Sequence, residues 1–341
     1  MKILFIGDPH IKLSNLDVAE RMFDYALKVA VDYHCDHICD LGDTFDNYAL
    51  MQSQAIRLYL DFAGKVSKAK MSLIKIIGNH DYETQDCKHH VFGFLKWHDS
   101  VMVVESPSRH GNVLYLPFYR DKDKFKEVVE RHLASECHKD VKYLVCHQGF
   151  NGYDYGNGFI AVDDANLPDN RWGFQRIISG HFHKPSDIYV GTPFSHSFGE
   201  SNQEKRFAIL DTTSNDFKYI PVVGLPKHIT IEAVCQGGSE GGVEGSVDYR
   251  KPDFDIVDAD KVRVVVSGTR EQQTYITDKE VKKEFGKSVS VRRILVSSDN
   301  QIEIKETMNQ AEMLRSYFKI KNIDNERVLK KALGYLESVR A

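Results

Sequence analysis

The sequence has no run of roughly 18 consecutive apolar residues, so nothing in it reads as a membrane-spanning helix. Its opening, Met1-Lys2 followed by Ile3-Leu4-Phe5-Ile6 and Gly7-Asp8, is too short an apolar run for a signal peptide. Six cysteines (Cys35, Cys39, Cys87, Cys137, Cys146 and Cys235) include no CxxC pair and read as reduced, mostly buried thiols of a cytoplasmic protein. There is no basic excess: 45 Lys+Arg against 49 Asp+Glu leave a net charge of -4, without the global footprint that advertises nucleic-acid binding. Internal repeats are lacking too. What remains, at 42% hydrophobic and 28% charged, is an ordinary globular composition, which excludes disordered and collagen-like classes. The 341 residues suffice for one large domain and a smaller one.

Histidine, by contrast, is abundant and front-loaded: 14 of 15 precede residue 197, and only His228 follows. The first 222 residues alternate apolar runs with amphipathic stretches. Strands are expected at 2–7, 37–41, 72–77, 101–104, 113–117, 142–146, 176–179, 188–190 and 206–211, and helical spacing marks 16–33, 50–68 and 122–134. The alternation predicts an α/β layer fold, and the later strands, crowded without helices between them, predict mixed sheets flanked by helices. Composition changes beyond residue 221. Residues 236–245 hold five glycines in ten and read as a mobile loop. Residues 227–260 carry 3 basic and 8 acidic side chains, whereas 261–293 carry 9 and 4, a local charge of +5. The second block reads as strand 262–266, helix 271–285 and strand 288–296, a small α/β accessory domain. Two helical stripes close the chain, Met308, Ala311, Leu314 and Phe318, then Leu329, Ala332, Leu333, Leu336 and Val339. They suit docking on a partner or packing back on this chain. The expected domains are thus 1–222, 226–300 and 304–341.

The chemistry-bearing residues stand just after apolar runs, where an α/β sheet opens its ligand crevice. The first run leads to Asp8-Pro9-His10; residues two apart in extended chain point the same way, so a carboxylate and an imidazole converge. The second leads to Gly42-Asp43-Thr44-Phe45-Asp46 and the third to Gly78-Asn79-His80-Asp81. His147 ends a further run, and Gly180-His181-Phe182-His183 ends another. Taken singly, a strand-end Asp is more often a turn or cap residue, and a buried His a hydrogen-bonded core residue. Five pieces in the order DxH, GDxxD, GNHD, H, GHxH point instead to a metal centre. Carboxylate, amide and imidazole donors without thiolate suit manganese, iron or zinc better than copper or calcium.

This motif set resembles the calcineurin-like metallophosphoesterase superfamily over roughly residues 1–222. The resemblance implies two divalent ions, one held by Asp8, His10, Asp43 and His183, the other by Asp43, Asn79, His147 and His181, with Asp43 bridging. It also implies His80 as a general acid or donor to the phosphate. Asp81 joins His80 in the catalytic set as the residue that orients it or a ligand, and Asp46 lies outside the metal shell. Two such ions, about 3.5–4 Å apart, clamp both oxygens of an in-line displacement at phosphorus and lower the pKa of a bridging water. A histidine can donate a proton to the leaving group near neutral pH.

GDTFD in place of GDxxDRG, and GNHD in place of GNHE, separate the chain from Ser/Thr protein phosphatases. With His147-Gln148, and GHFHKP followed by Gly191-Thr192-Pro193, it is similar to the DNA double-strand-break repair nucleases, which include bacterial SbcD and the recombination endonuclease subunits of large tailed phages. That resemblance implies a Mn2+-dependent DNA exonuclease and endonuclease, with Mg2+, Fe2+ or Zn2+ as alternatives, acting in recombination, repair and replication. It further implies an SMC-like ABC ATPase partner, a homodimer, no membrane, and a cytoplasmic setting, which is the host's if the chain is phage-encoded. The accessory domain would present DNA, with Lys279, Lys282, Lys283, Arg292 and Arg293 tracking phosphates or else forming a solvated face. The terminal helices would dock on the ATPase. Gly286-Lys287-Ser288 looks like the end of a P-loop, but the earlier glycine falls on Val281 and no strand precedes it, so this chain is expected to bind no ATP. Two other readings stand beside the nuclease: a nucleotide or small-molecule phosphodiesterase with the same metal site, and a non-catalytic DNA-repair scaffold, which would have lost ligands.

Overall fold

The computed structural model of the chain describes all residues except 47–51, 85, 136–138, 156–157, 237–245, 252–255, 258–259, 271, 287, 296–327 and 332–341. Two compact units emerge, residues 1–230 with 252–261, and residues 231–251 with 262–341. The first runs β1 (Lys2–Ile6), α1 (Leu16–Asp32), β2 (His37–Asp40), α2 (Ser53–Lys68), β3 (Ser72–Ile76), β4 (Val101–Val104), β5 (Ser108–His110), β6 (Val113–Leu116), α3 (Lys122–Ala134), β7 (Tyr143–His147), β8 (Arg176–Gly180), β9 (Arg206–Asp211) and β10 (Asp216–Pro221).

These strands form two mixed sheets. One has the order β10-β9-β1-β2-β3-β4, with β1 to β4 parallel and β9 antiparallel to both β1 and β10. The other has the order β5-β6-β7-β8, parallel except for β5. The period of two along each strand sorts side chains into three cores. Leu4, Ile6, Ile38 and Leu73 face α1 and α2; Ile3, Phe5, Cys39 and Ile74 meet Tyr115, Tyr143, Val145 and Ile178 between the sheets; Leu114, Leu144, Cys146 and Ile177 face α3. The result is a four-layered α/β/β/α unit, the mixed α/β layering expected from the pattern. α1 buries Ala19, Met22, Phe23, Ala26, Val29 and Ala30, and Phe23 stacks on Phe62 of α2 at 4.2 Å between ring centroids. Each such aromatic, fully buried, contributes on the order of 1.5–3 kcal/mol.

The structure departs from expectation at the edges. Residues 188–190 form no strand but one parallel bridge, Ser179 to Tyr189. Strands β5 and β10 were not anticipated, because one is three residues long and the other carries alternating exposed positions at the sheet margin. In the second unit β11 (His228–Gln236), β12 (Ser246–Arg250), β13 (Lys261–Gly268) and β14 (Ser290–Leu295) pair in the order β12-β11-β13-β14. The crossover helix between β13 and β14, α4 (Asp278–Phe285), starts seven residues later than the periodicity suggested, after a 3-10 turn at Gln272–Tyr275. A capping box decides that start: Thr277 Oγ1 accepts the Glu280 N–H at 3.2 Å, and Glu280 accepts the Thr277 N–H at 2.8 Å. The glycine-rich run 237–245 lies outside the described residues, as do the terminal stripes apart from a helical turn at 328–331.

Candidate metal centre

The parallel strands of both sheets deliver their C-terminal ends to one place. Asp8 and His10 follow β1, Asp43 follows β2, Asn79 follows β3, His147 closes β7, and His181 and His183 follow β8. Four of these side chains sit on left-handed backbone, Asp8 at φ 27°, His10 at 42°, Asp43 at 50° and His181 at 91°. Such conformations cost non-glycine residues of order 1–3 kcal/mol each and persist only where surrounding bonds enforce them. Here the His10 N–H donates to the Asp43 carbonyl at 3.0 Å, and the His181 N–H to Asp8 Oδ1 at 2.7 Å. Close approach also demands glycine. A Cβ on Gly42 would fall 2.4 Å from His147 Nδ1, and one on Gly78 would fall 2.3 Å from Asp43 Oδ1.

Two donor groups result, each with its ligand atoms within 4.8 Å of one another: Asp8, His10 and Asp43, and Asp43, His147 and His181. Asp43 belongs to both. Asn79 joins the second group, its Oδ1 3.0 Å from His147 Nε2 and 2.7 Å from His181 Nδ1. His183 joins the first, with Nε2 3.0 Å from His10 Nε2. Asp8 Oδ2 and His10 Nδ1 are buried without a hydrogen-bond partner. A buried carboxylate oxygen of Asp8 without a partner, beside clustered carboxylate, amide and imidazole donors, is what a cation site needs, so the residues present fit divalent ions.

The electrostatics agree. Burial, opposed by His147, leaves Asp8 raised to about 6, whereas Asp43, despite burial, is held well below the usual carboxylate range by His147, His10 and His80. Burial pushes His181 down to about 3 and His10 well below its ordinary value, keeping both as neutral imidazoles with a lone pair to offer. For His147 burial is outweighed by Asp43 and Asp8, which lift it to about 9. Its Nδ1 donates to the Leu41 carbonyl at 2.8 Å, so its remaining proton lies on the side of Asp43, where a metal would replace it.

His80 stands at the rim, half-buried. Its backbone N–H donates to Asp43 Oδ1 at 2.7 Å, its Nδ1 meets the Asp46 carbonyl at 3.1 Å, and its ring lies edge-on to His10 at 4.9 Å. The Asp46 carboxylate is 3.6 Å from His10 Nδ1 and 3.5 Å from Lys12 Nζ.

Asp81, expected beside His80 as the residue that orients it or a ligand, stands behind the ligand loops. It is fully buried, and Oδ2 accepts the Gly78 and Asp43 N–H groups at 2.9 and 3.0 Å while Oδ1 accepts that of Thr44 at 3.0 Å. Lys75, equally buried, lies 2.8 Å from Oδ2. With its oxygens on backbone N–H groups and ammonium, Asp81 ties together the loops that carry Asp43 and Asn79.

Sequence reasoning missed Lys75, Asp40, Glu200 and Lys205. Lys75 had a signal, a lone cation inside an apolar strand. Its Nζ also donates to Thr44 Oγ1 at 2.5 Å and lies 3.5 Å from Asp40, which accepts from the Tyr59 hydroxyl at 2.7 Å. Glu200 Oε1 lies 2.8 Å from His183 Nδ1. His196 was missed as well. Its ring is 5.4 Å from that of His10, and neither of its buried nitrogens has a hydrogen-bond partner.

In the second unit Lys279, Lys282 and Lys283 are exposed on α4, and Arg292 is exposed on β14. Arg293, expected with them on a phosphate-tracking face, is spent on the fold instead. Its guanidinium donates to the Gln273 and Ile276 carbonyls at 3.0 and 2.8 Å and to Asp278 at 2.6 Å.

A four-layered unit with carboxylate, amide and imidazole donors gathered at its strand ends defines a metal-dependent phosphoesterase. The chain belongs to the calcineurin-like phosphoesterase family, whose profile matches residues 1–185. It is similar to protein 078R of Invertebrate iridescent virus 3, which carries a phosphoesterase name, at 24% identity over 70% of this chain and 71% of that one. It is also similar to exonuclease subunit 1 of Enterobacteria phage T4, at 23% identity over 89% of this chain and 86% of that one. The DNA double-strand break repair protein Mre11 of Nanoarchaeum equitans matches at 22% identity over 61% of this chain and 66% of its own length. No helix among the described residues is long and apolar enough to cross a membrane.

Proposed function

We propose that the chain is the nuclease subunit of a DNA-processing complex, a two-metal exonuclease and endonuclease acting in recombination, repair and replication. The observation that carries this reading is the membership of Asp43 in both donor groups, the arrangement a bridging ligand requires. In this reading Asp8, His10, Asp43 and His183 hold one divalent ion, and Asp43, Asn79, His147 and His181 hold the other. Mn2+ suits the mixture of carboxylate, amide and imidazole best, with Mg2+, Fe2+ or Zn2+ as alternatives. When bound, the pair supplies charge stabilisation at the phosphorus oxygens and a low-pKa water. Asp43, fixed by the His80 N–H and by the Asp81 staple behind its loop, sets the spacing of the two groups. His80, with Nδ1 turned to the Asp46 carbonyl, presents its other ring nitrogen to the departing or non-bridging oxygen.

The extent of the similarity to the phage exonuclease subunit supports a DNA substrate. Lys279, Lys282 and Lys283, interleaved on α4 with Asp278, Glu280 and Glu284, and Arg292 on β14 are the remaining candidates for phosphate contacts. We further assign 226–300 to DNA presentation and 304–341 to docking on an SMC-like ABC ATPase, within a cytoplasmic homodimeric assembly.

The test is cleavage of linear duplex and single-stranded DNA with Mn2+ or Mg2+, with and without the candidate ATPase. DNA cleavage that needs the metal and is raised by the ATPase is expected. Intact DNA in every combination, together with hydrolysis of a cyclic dinucleotide, would overturn the nuclease reading in favour of a small-molecule phosphodiesterase.

A further inference from the structure

The carboxylate that holds His183 comes from none of the five motifs. We propose that Glu200, anchored by Lys205 and Thr192, is a positioning residue that fixes the tautomer and aim of His183 toward the ion shared with Asp8, His10 and Asp43. The inference rests on the metal reading above and adds to it a residue that the motifs do not contain.

Glu200 ends a short 3-10 turn, Phe198–Glu200, whose entry is capped by Ser197 Oγ accepting the Gly199 N–H at 3.1 Å. Its Oε1 stands 2.8 Å from His183 Nδ1. A carboxylate only accepts, so the ring hydrogen lies on Nδ1 and the lone pair on Nε2, the atom that faces His10 at 3.0 Å. Oε2 is tied down separately. It accepts the Thr192 hydroxyl at 2.9 Å and the Lys205 ammonium at 2.7 Å, and Lys205 donates back to Thr192 Oγ1 at 2.6 Å. Glu200, Lys205 and Thr192 are all buried. The turn bearing Thr192 is itself tied to the ligand segment, since the Thr192 N–H donates to the His183 carbonyl at 3.2 Å. An ion pair built only for stability would need one oxygen of Glu200. The second oxygen, Oε1, meets the His183 imidazole. Carboxylate partners of this kind orient a ligating histidine and raise its basicity, and their loss costs 10–100-fold in metal affinity.

Removing Glu200 alone would strand a buried ammonium, so the test replaces the pair. In Glu200→Leu/Lys205→Met, the chelated protein is expected to melt near the parent. Titrated with Mn2+ by calorimetry, it should bind one ion at parental affinity and the other 10–100-fold more weakly. Glu200→Gln/Lys205→Met returns an acceptor oxygen to His183 and is expected to recover most of that loss. Thr192→Val, which keeps both charges, should weaken the same ion by a smaller factor. Parental affinity for both ions in the Leu/Met variant would overturn the proposal and leave Glu200 as a partner of Lys205 only. A parent chain that titrates no ion defeats the metal reading as well, and the parent titration alone reveals it.

Discussion

Asp81 and Lys75 form a fully buried ion pair, 2.8 Å between Oδ2 and Nζ, directly behind the loops that carry Asp43 and Asn79. Asp40 lies 3.5 Å from the same ammonium. Burial lowers the readiness of Lys75 to hold its proton, but Asp40 and Asp81 more than offset it and keep it charged. Lys75→Met leaves two carboxylates uncompensated in the interior and is expected to lower stability by about 3–5 kcal/mol. Urea unfolding of the chelated protein measures it. A loss below about 1 kcal/mol would show that the pair is dispensable.

Asp43 should matter more than any other donor. Asp43→Asn removes a charge common to both groups and is expected to strip both ions, whereas Asn79→Ala should strip one. Metal content after gel filtration, read by mass spectrometry, separates the two variants. Equal residual content in both would defeat the shared role.

His80 lies outside both donor groups, so His80→Ala should keep both metals and lose cleavage by roughly 10²–10⁴-fold. Metal depletion in that variant would move His80 into the ligand shell.

Chelation should also be visible without any substrate. Divalent ions at a hundred times their dissociation constant stabilise a folded chain by about 2.7 kcal/mol per site, and EDTA removes this. A melting temperature that falls on chelation and recovers on adding Mn2+ is the expected result. No shift in either direction would argue against ions bound by the folded state.

The donor residues were legible because each follows an apolar strand within a few positions, where the chain must turn toward the crevice: Asp8 after Ile6, Asp43 after Asp40, Asn79 after Ile76. Their supports were not. Glu200 and His183 are 17 residues apart, Lys75 and Asp40 are 35, and nothing local links either pair. Such partners are chosen by tertiary packing, which a single sequence does not display. The helix before β14 was placed early because the segment ahead of it does coil, but as a 3-10 turn at Gln272–Tyr275; the Thr277 and Glu280 capping box marks the α-helical start. Arg293 illustrates the same blindness for charge, since an arginine that fastens two carbonyls reads like one that awaits a phosphate.

The two sheets meet through aliphatic and aromatic side chains, a contact that is not directional. One sheet leads to Asp8, His10, Asp43 and Asn79; the other leads to His147, His181 and His183. The donor cluster is therefore a rivet through both layers. Slippage by one residue would separate Asn79 from His147 and His181. Correct alignment of the layers and assembly of the donor cluster therefore become a single event.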